Sequence, residues 1–153
     1  MQVTIRPACQ EDCLDVFRWR NDEQSRAMSR NSAPLDESAH VAWFARALQD
    51  PQRSLLIAET AYGTFAMVRF DVLVPPEWEI SIVLAPEARG QGLGRSALAA
   101  AVDYFFKLHA DGRVLASVKN DNTISQRLFL SQGFKESSCQ NDMKTYSLIR
   151  QQR

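Results

Sequence analysis

Three glycines at alternate positions constrain this chain more than any other feature. Gly90, Gly92 and Gly94 follow an apolar segment that ends at Pro86, and they precede a segment with apolar residues at helical spacing. The apolar segment is predicted to be a strand that stops at the proline. A glycine-rich turn that opens a helix leaves the first backbone N–H groups unpaired, which favours binding of a phosphate. Glycine also tolerates positive φ and lets a phosphate approach the backbone closely.

The residues around the glycines argue against two common classes of nucleotide-binding site. Residues 92–97 match the dinucleotide fingerprint, but that fingerprint requires glycines directly after the first strand of a βαβ unit. Here a Pro-Glu-Ala-Arg spacer intervenes, and the preceding chain predicts strands connected as a hairpin. The turn also lacks the Gly-Lys-Ser/Thr ending of nucleoside-triphosphate loops. Neither class of nucleotide site is therefore predicted.

The turn and a later segment resemble the two signatures of the GNAT superfamily of N-acetyltransferases. The central motif of that family is Arg or Gln, two residues, Gly, one residue, then Gly or Ala, and residues 89–94 fit it completely. Residues 122–134 are similar to the second signature, with a predicted helix and strand between the two. The resemblance covers most of the chain and is sharpest from Trp78 to Phe134. It implies an acetyltransferase.

The length of 153 residues suits a single domain, 1–153, with its own hydrophobic core. The resemblance implies an α+β fold with a mixed, mostly antiparallel sheet of six to seven strands and about four helices. Periodicity and turn signals predict the elements in order, with Asp36 as a helix N-cap, a polar surface loop at 23–32, and Leu14 and Ile124 on apolar helix faces. The predicted strands are 3–6, 54–60, 64–74, 78–84, 114–118, 134–138 and 144–149, and the helices are 10–20, 36–50, 96–108 and 123–131.

Charge and cysteine content exclude several classes of function. Lys and Arg number 18, as do Asp and Glu, so no net field attracts nucleic acid or an anionic membrane. No segment has the apolar length of a membrane span, about 18 residues, and the N-terminus lacks the apolar block of a signal peptide. Cys9, Cys13 and Cys139 lack metal-binding spacing, so we expect reduced, half-buried thiols, no metal and a cytoplasmic location. The oligomeric state, a homodimer included, stays open.

The resemblance implies acetyl-CoA as co-substrate. Its pantetheine arm would pair with the strand edge at Ile82, Val83 and Leu84, where a backbone N–H would polarise the thioester carbonyl. Asn122 and Ser125 match family positions that reach the pantetheine or adenosine side. The pyrophosphate would lie on the glycine turn, formed by Arg89, Gly90, Gln91, Gly92, Leu93, Gly94, Arg95 and Ser96. Arg89 and Arg95 would support it as cations, or they are ordinary surface charges.

Two residues are candidates for the general base. Glu79 lies on the strand that leads to the cofactor, on the other pleat face from Trp78 and Ile80, and could accept the ammonium proton. A solvent-facing or ion-paired role fits it equally. His40 has a suitable ordinary pKa, but a histidine on a helix also serves as a local hydrogen-bonding partner.

The general acid is where the chain departs from the family. Many relatives have Tyr seven residues after the Asn matched by Asn122, and this chain has Phe129, which has no proton to give. The leaving thiolate would then be protonated by water or by another group, with chemistry favouring Tyr146 over Ser131 and Cys139.

The acceptor side is predicted from residues 19–22 and 37–44. These segments look like those of GNAT enzymes that acetylate nucleotide-linked amino sugars of the pseudaminic-acid pathway type, and of enzymes that acetylate ribosomal-protein N-termini. Aromatic planes with Arg and Asn suit a sugar or nucleotide. The candidates are Trp19, Arg20, Asn21, Arg30 and Trp43, although Trp43 has helical spacing that fits a core position as well.

The sequence therefore predicts an acetyl-CoA-dependent N-acetyltransferase that acts by direct attack of a primary amine. The acceptor would be a small molecule such as an amino-sugar nucleotide. Two alternatives stay open: a protein or peptide N-terminal acetyltransferase, and an acyl-CoA-binding module with little catalysis.

Overall fold

The computed structural model describes residues 2–150, which form seven β-strands and five α-helices. The strands are β1 (Thr4–Pro7), β2 (Arg53–Thr60), β3 (Gly63–Val72), β4 (Glu77–Leu84), β5 (Arg113–Lys119), β6 (Lys135–Gln140) and β7 (Met143–Ile149). The helices are α1 (Cys13–Asn21), α2 (Glu23–Met28), α3 (Glu37–Gln49), α4 (Leu93–Leu108) and α5 (Thr123–Ser131). One sheet contains all seven strands, in the order β1-β2-β3-β4-β5-β7-β6. Only β4 and β5 pair in parallel, so the predicted α+β fold with a mostly antiparallel sheet is confirmed.

Local signals set several element boundaries correctly. The Asp36 carboxylate accepts the Ala39 N–H at 2.9 Å, which confirms the predicted N-cap of α3. Helix α5 has the bounds that periodicity predicted. Helix α4 begins at Leu93, earlier than predicted, because Gly92 in the left-handed conformation acts as its N-cap.

Helix α2 lies in the segment that was predicted to be a loop. The helix is six residues long and buries none of them, so its sequence has no apolar periodicity from which to predict it. It is held by polar contacts instead: Asp22 accepts the Ser25 N–H at 3.2 Å, and the Arg26 guanidinium donates to the carbonyls of Asn21 and Ser32. The prediction of a surface loop at 23–32 is wrong for its first part.

The sheet separates two apolar layers. On one side α4 and α5 pack on β2–β5 and β7, with Phe105 at the centre of an aromatic group: its ring lies 4.6 Å from Phe70, 5.4 Å from Trp78 and 5.2 Å from Phe106. On the other side α1 and α3 pack on β2, β3 and the end of β4. The sheet is thus covered on both faces, and polar groups on either face need partners or a ligand.

Two predicted core positions are wrong. Leu14 and Ile124 are 61% and 72% exposed. Helix α5 instead buries Phe129 and Gln126, whose side-chain amide donates to the carbonyls of Lys119 and Asn120 at 2.9 Å. The backbone carbonyls at the end of β5 determine which face of α5 is buried, because they bind the Gln126 amide. Hydrophobic spacing does not reveal such contacts.

The remaining sequence expectations concern membranes, metals and thiols. Within residues 2–150, no helix combines the length and the apolar character that crossing a bilayer requires. The same residues contain no group of three or more His, Cys, Asp or Glu placed to hold a metal ion. All three cysteines are free; Cys13 is buried, whereas Cys9 and Cys139 are exposed rather than half-buried.

The ladder between β4 and β5 stops in the middle of the sheet. Only Glu77, Trp78 and Glu79 of β4 pair with β5, although β4 continues to Leu84 and β5 to Lys119. Two strands that both continue without pairing leave a gap between them. The gap opens at the same end of β4 as the glycine turn.

We expect Phe105→Ala to lower the free energy of unfolding by about 3–5 kcal/mol, because it removes the ring at the centre of the aromatic group. Leu108→Ala on the same helix is the matched control, since Leu108 is 63% exposed and its truncation should change stability by less than about 0.5 kcal/mol. Urea titrations of both variants measure the difference. Equal midpoints for the two variants would contradict the placement of Phe105.

Candidate active site

The open edge of β4 presents backbone groups that have no strand partner. The Ala85 N–H donates to the Phe65 carbonyl at 2.7 Å, and the Leu73 N–H donates to the Glu77 carbonyl at 2.9 Å. Because backbone direction alternates along a strand, odd-numbered residues of β4 direct their N–H and C=O groups to β3. The groups of Ile82 and Leu84 therefore face the gap, whereas those of Val83 face β3.

The glycine turn faces open space. Gly90 and Gly92 have φ of 76° and 75°, and a Cβ atom added to either would meet nothing within 4 Å. Gly92 offers no side-chain cap, and Ser96 makes the first intrahelical bond of α4, to the Gly92 carbonyl. The N–H groups in the first turn of α4, from Leu93 to Arg95, thus lack helical acceptors.

Three elements converge beside this turn. A Cβ atom on Gly94 would lie 3.4 Å from the Leu84 side chain and 3.9 Å from Leu128 of α5. At the start of α5, the Asn122 side chain accepts the Ser125 N–H at 3.1 Å. The end of β4, the first turn of α4 and helix α5 therefore surround one corner, where most residues predicted to bind the cofactor come together.

Helix α2 connects this corner to the end of β5. The Arg89 guanidinium contacts the Asp22 carboxylate at 2.5 Å and the Ser25 hydroxyl at 2.9 Å. The Lys119 ammonium donates to the Ala27 carbonyl at 2.9 Å. Arg89 also holds the pKa of Asp22 below its usual range. We call residues 22–28 the α2 bridge, because they join the turn after β4 to β5.

Glu79 is the last residue of β4 that pairs with β5. Its carboxylate contacts the Arg30 guanidinium at 2.6 Å, and the two side chains are 19% and 64% exposed. Arg30 borders a cleft that also includes the end of β5 and the β6–β7 turn; its lining residues are Arg30, Lys119, Asn120, Asp121, Asn141, Asp142 and Met143. Glu79 is therefore ion-paired and next to a surface cleft, and the sheet face that it shares with Asp71 and Ser81 lies opposite Ile80.

His40 is a buried, neutral hydrogen-bonding residue. Its Nε2 lies 2.9 Å from the Cys13 carbonyl and its Nδ1 lies 3.0 Å from the Arg20 guanidinium. A carbonyl only accepts and a guanidinium only donates, so Nε2 carries the proton and Nδ1 accepts. Burial, with a smaller contribution from Arg20, lowers the pKa of His40. Both ring nitrogens have partners, which argues against the predicted role of His40 as a catalytic base.

A cluster of two arginines and a tryptophan lies against the sheet face that carries Glu79. The guanidinium carbons of Arg20 and Arg69 lie 4.6 Å and 5.2 Å from the centre of the Trp43 ring. Arg69 also contacts Asp71 at 2.9 Å. Burial, together with the charge of Arg69, lowers the pKa of Arg20 to about 10. Sequence reasoning missed Arg69, Asp71 and Ser81; the signal was the polar interruption of two otherwise apolar strands.

Three further residues that were predicted to bind substrate or act in catalysis occupy structural positions. Trp19 and Tyr146 are 1% and 2% exposed and belong to the two apolar layers, and burial raises the pKa of Tyr146. The Asn21 side chain accepts the Leu35 N–H at 2.8 Å and so fixes the chain before α3. These positions argue against the predicted roles in substrate binding and catalysis. Phe129 is also buried, with its ring centre 5.1 Å from that of Phe134, and the phenyl ring has no proton to give.

The geometry agrees with comparisons to known proteins. Residues 2–135 match the family described as acetyltransferase (GNAT) domain. Spermidine N-acetyltransferase from Vibrio cholerae, in complex with CoA and spermine, has a TM-score of 0.85 at 18% identity over 97% of this chain and 95% of that chain. YncA from Salmonella typhimurium, solved with its cofactor acetyl-CoA, has a TM-score of 0.81 at 20% identity, over 100% of this chain and 96% of that chain.

A third similar structure is the ribosomal-protein-alanine N-acetyltransferase from Brucella melitensis, with a TM-score of 0.79 at 22% identity over 95% of this chain and 99% of that chain. At these identities the three structures establish the fold. Among curated proteins, no sequence matches this chain significantly.

We expect the free energy of unfolding to fall as the pH drops from about 7 to 5, partly through His40. The unfolded chain binds a proton at the ordinary pKa near 6.5, whereas the folded chain binds it only at lower pH, so acid favours unfolding in this window. His40→Gln should reduce that slope in urea titrations. The chain has two histidines, so loss of one imidazole NMR signal in this variant assigns His40. A His40 signal that titrates at or above pH 6.5 would contradict the assignment.

Proposed function

The chain belongs to the GNAT acetyltransferase family, and from that premise we propose that it transfers the acetyl group of acetyl-CoA to a primary amine by direct attack. One observation carries this proposal: the unpaired edge of β4 ends beside a glycine turn whose N–H groups face open space. An extended polar chain fits the edge, and a phosphate fits the turn. Pantetheine and pyrophosphate are joined in coenzyme A in that order.

We assign the cofactor contacts as follows. The pantetheine amides pair with the backbone of Ile82 and Leu84, and Val83 supports them through its bonds to β3. The pyrophosphate accepts from the N–H groups of the turn, which comprises Arg89, Gly90, Gln91, Gly92, Leu93, Gly94, Arg95 and Ser96. Arg89 exchanges part of its contact with Asp22 for a phosphate oxygen. Asn122 and Ser125, at the start of α5, lie on the far side of the same corner.

The chemistry then needs a base and an oxyanion donor. The Glu79 carboxylate takes a proton from the substrate ammonium, directly or through one water, and the neutral amine attacks the thioester carbonyl carbon. A backbone N–H on the open edge of β4 donates to the oxygen that becomes negative. The C–N bond forms, the C–S bond breaks and the CoA thiolate leaves, and the nitrogen then gives its remaining extra proton to solvent. Since Phe129 has no proton, solvent water protonates the thiolate.

Arg30 must move before Glu79 can act. Its side chain is 64% exposed and comes from the segment between α2 and α3. A substrate ammonium that enters the cleft replaces this guanidinium on the carboxylate, so the ion pair exchanges one cation for another. In this scheme Arg30 then contacts the rest of the substrate at the cleft wall.

For the acceptor we propose an amino sugar linked to a nucleotide. Arg20, which lies over the half-buried Trp43 ring, offers donors for hydroxyl or phosphate oxygens, and the edge of the indole offers apolar contact to a sugar ring. A peptide N-terminus is the second candidate, and an acyl-CoA-binding module with little catalysis is the third. Release of free thiol from acetyl-CoA in panels of amino-sugar nucleotides and peptides separates the three.

We expect Gly92→Glu to lower acetyl-CoA affinity by about 100-fold or more, because like charges at close range cost several kcal/mol. Gly63→Glu is the matched control: Gly63 also has positive φ and open space, but it lies in the β2–β3 turn. Both variants add the same charge at a glycine of positive φ, 122° at Gly63 and 75° at Gly92. Calorimetric titration measures both affinities. Equal affinity in the two variants would count decisively against this phosphate site.

We expect Glu79→Gln to lower kcat/KM by about 100-fold below the pKa of the substrate amine, and to lose less at higher pH, where the amine is already neutral. Glu77→Gln is the control, since Glu77 lies on the same strand and its carboxylate pairs with Arg113, at 3.8 Å, rather than with Arg30. Rates from pH 6 to pH 10 test this directly. An unaltered pH–rate profile in Glu79→Gln would remove Glu79 as the base.

A further inference from the structure

Arg20 is a partly buried cation without an acidic partner. Among residues 2–150, no carboxylate lies within ion-pair distance of its guanidinium, whose polar contact is the neutral His40 ring at 3.0 Å. The other arginines of this neighbourhood are all paired: Arg30 with Glu79, Arg53 with Asp50 and Asp71, and Arg69 with Asp71. A desolvated guanidinium is costly unless an anion meets it.

The surroundings of Arg20 are cationic and aromatic. Arg20 and Arg69 both lie over the Trp43 ring, whose indole is half-buried rather than part of the core. Two guanidinium groups close together repel each other, and an anion between them would remove that repulsion. His40 accepts from Arg20 and donates to the Cys13 carbonyl, so the ring fixes the direction of the guanidinium. His40 is thus a positioning residue.

This surface lies within one small molecule's reach of the proposed base. Arg69 is directly opposite Ser81 of β4, and Glu79 is the next residue of β4 on the same face. Neighbouring strands are about 4.8 Å apart, and residues on one face of a strand are about 6.6 Å apart. A group bound by Arg20 and Arg69 would therefore lie roughly 5–10 Å from an amine at Glu79.

We propose that Arg20 and Arg69, on the Trp43 ring, bind an anionic group of the acceptor, either a carboxylate or a phosphate. This inference rests on the proposed function and specifies its substrate class: an amine whose own molecule carries an anion a few bonds away. The same charges disfavour polycations. The similar fold from Vibrio cholerae is that of a spermidine N-acetyltransferase, but a second ammonium group would meet two guanidinium groups here.

The test compares matched amines on the full chain. The panel contains an amino sugar as its nucleoside diphosphate, its 1-phosphate and its uncharged methyl glycoside, together with an ω-amino carboxylate and spermidine. Binding by calorimetry in the presence of CoA is measured beside initial rates with acetyl-CoA. We expect an anionic amine to bind about tenfold or more tightly than its uncharged counterpart. The phosphate and carboxylate arms distinguish the two sources of the anion.

Variants assign the preference to the cluster. Arg20→Gln and Arg69→Gln should each reduce the preference for the anionic amine by about tenfold, through KM rather than kcat. Arg20→Lys keeps the charge but loses the fork, and should restore only part of it. Arg46→Gln, an exposed position on the same helix as Trp43, is the control. Urea titration of every variant shows whether it has folded; if Arg20→Gln has not, Arg69→Gln carries the test.

The outcomes separate the two proposals. Tighter binding of anionic amines that is lost in the cluster variants supports the inference. Acetyl transfer without any anionic preference overturns the inference and leaves the proposed function in place. If acetyl-CoA does not bind, the proposed function fails, and the binding arm still decides the inference, because equal affinity for charged and uncharged amines would overturn it.

Discussion

The break in the β4–β5 ladder is the constraint on which the rest of the structure depends. An interior strand that leaves its backbone groups unpaired sacrifices hydrogen bonds that a regular sheet would make. The sheet tolerates this because β3 holds the other edge of β4 along its whole length, and because apolar layers cover both faces. What remains is a rigid, extended edge with its donors and acceptors already aligned. An added strand of ligand needs little rearrangement to bind it.

The α2 bridge makes the two halves of the site interdependent. Asp22 caps α2 through the Ser25 N–H and also holds Arg89 of the glycine turn, while Lys119 attaches the other end of the helix to β5. In the proposed site, a phosphate on the turn would compete with Asp22 for Arg89 and so remove a contact from α2, a helix that buries no side chain and relies on polar contacts. The proposed cofactor corner and acceptor side would then be linked through one guanidinium.

Sequence reasoning reached what local chemistry determines and missed what only tertiary contacts determine. The glycine turn, the Asp36 cap and the bounds of α5 follow from short segments, and the structure has them where they were predicted. Trp19 and Tyr146 have the chemistry of site residues, and burial in the two apolar layers decides against that role. The ordinary pKa of a histidine suits a base, but Cys13 and Arg20 occupy the two ring nitrogens of His40, and neither contact can be inferred from spacing. Helix α2 has no apolar face to detect.

Arg69 shows where a sequence carries functional information that periodicity alone discards. Strands β3 and β4 present Phe65, Met67 and Val83 to the layer of α1 and α3, and then Arg69, Asp71, Ser81 and Glu79 continue on the same face. A sheet face under helices ordinarily stays apolar, because buried charges are costly. Glu79 is the last residue of β4 that pairs with β5, and Ser81 is the next position on this face, beside the gap. The carboxylates on this face are met by Arg30, Arg53 and Arg69. Arg20 beside them meets no carboxylate of residues 2–150, and the proposed anionic group of the acceptor would supply that missing partner.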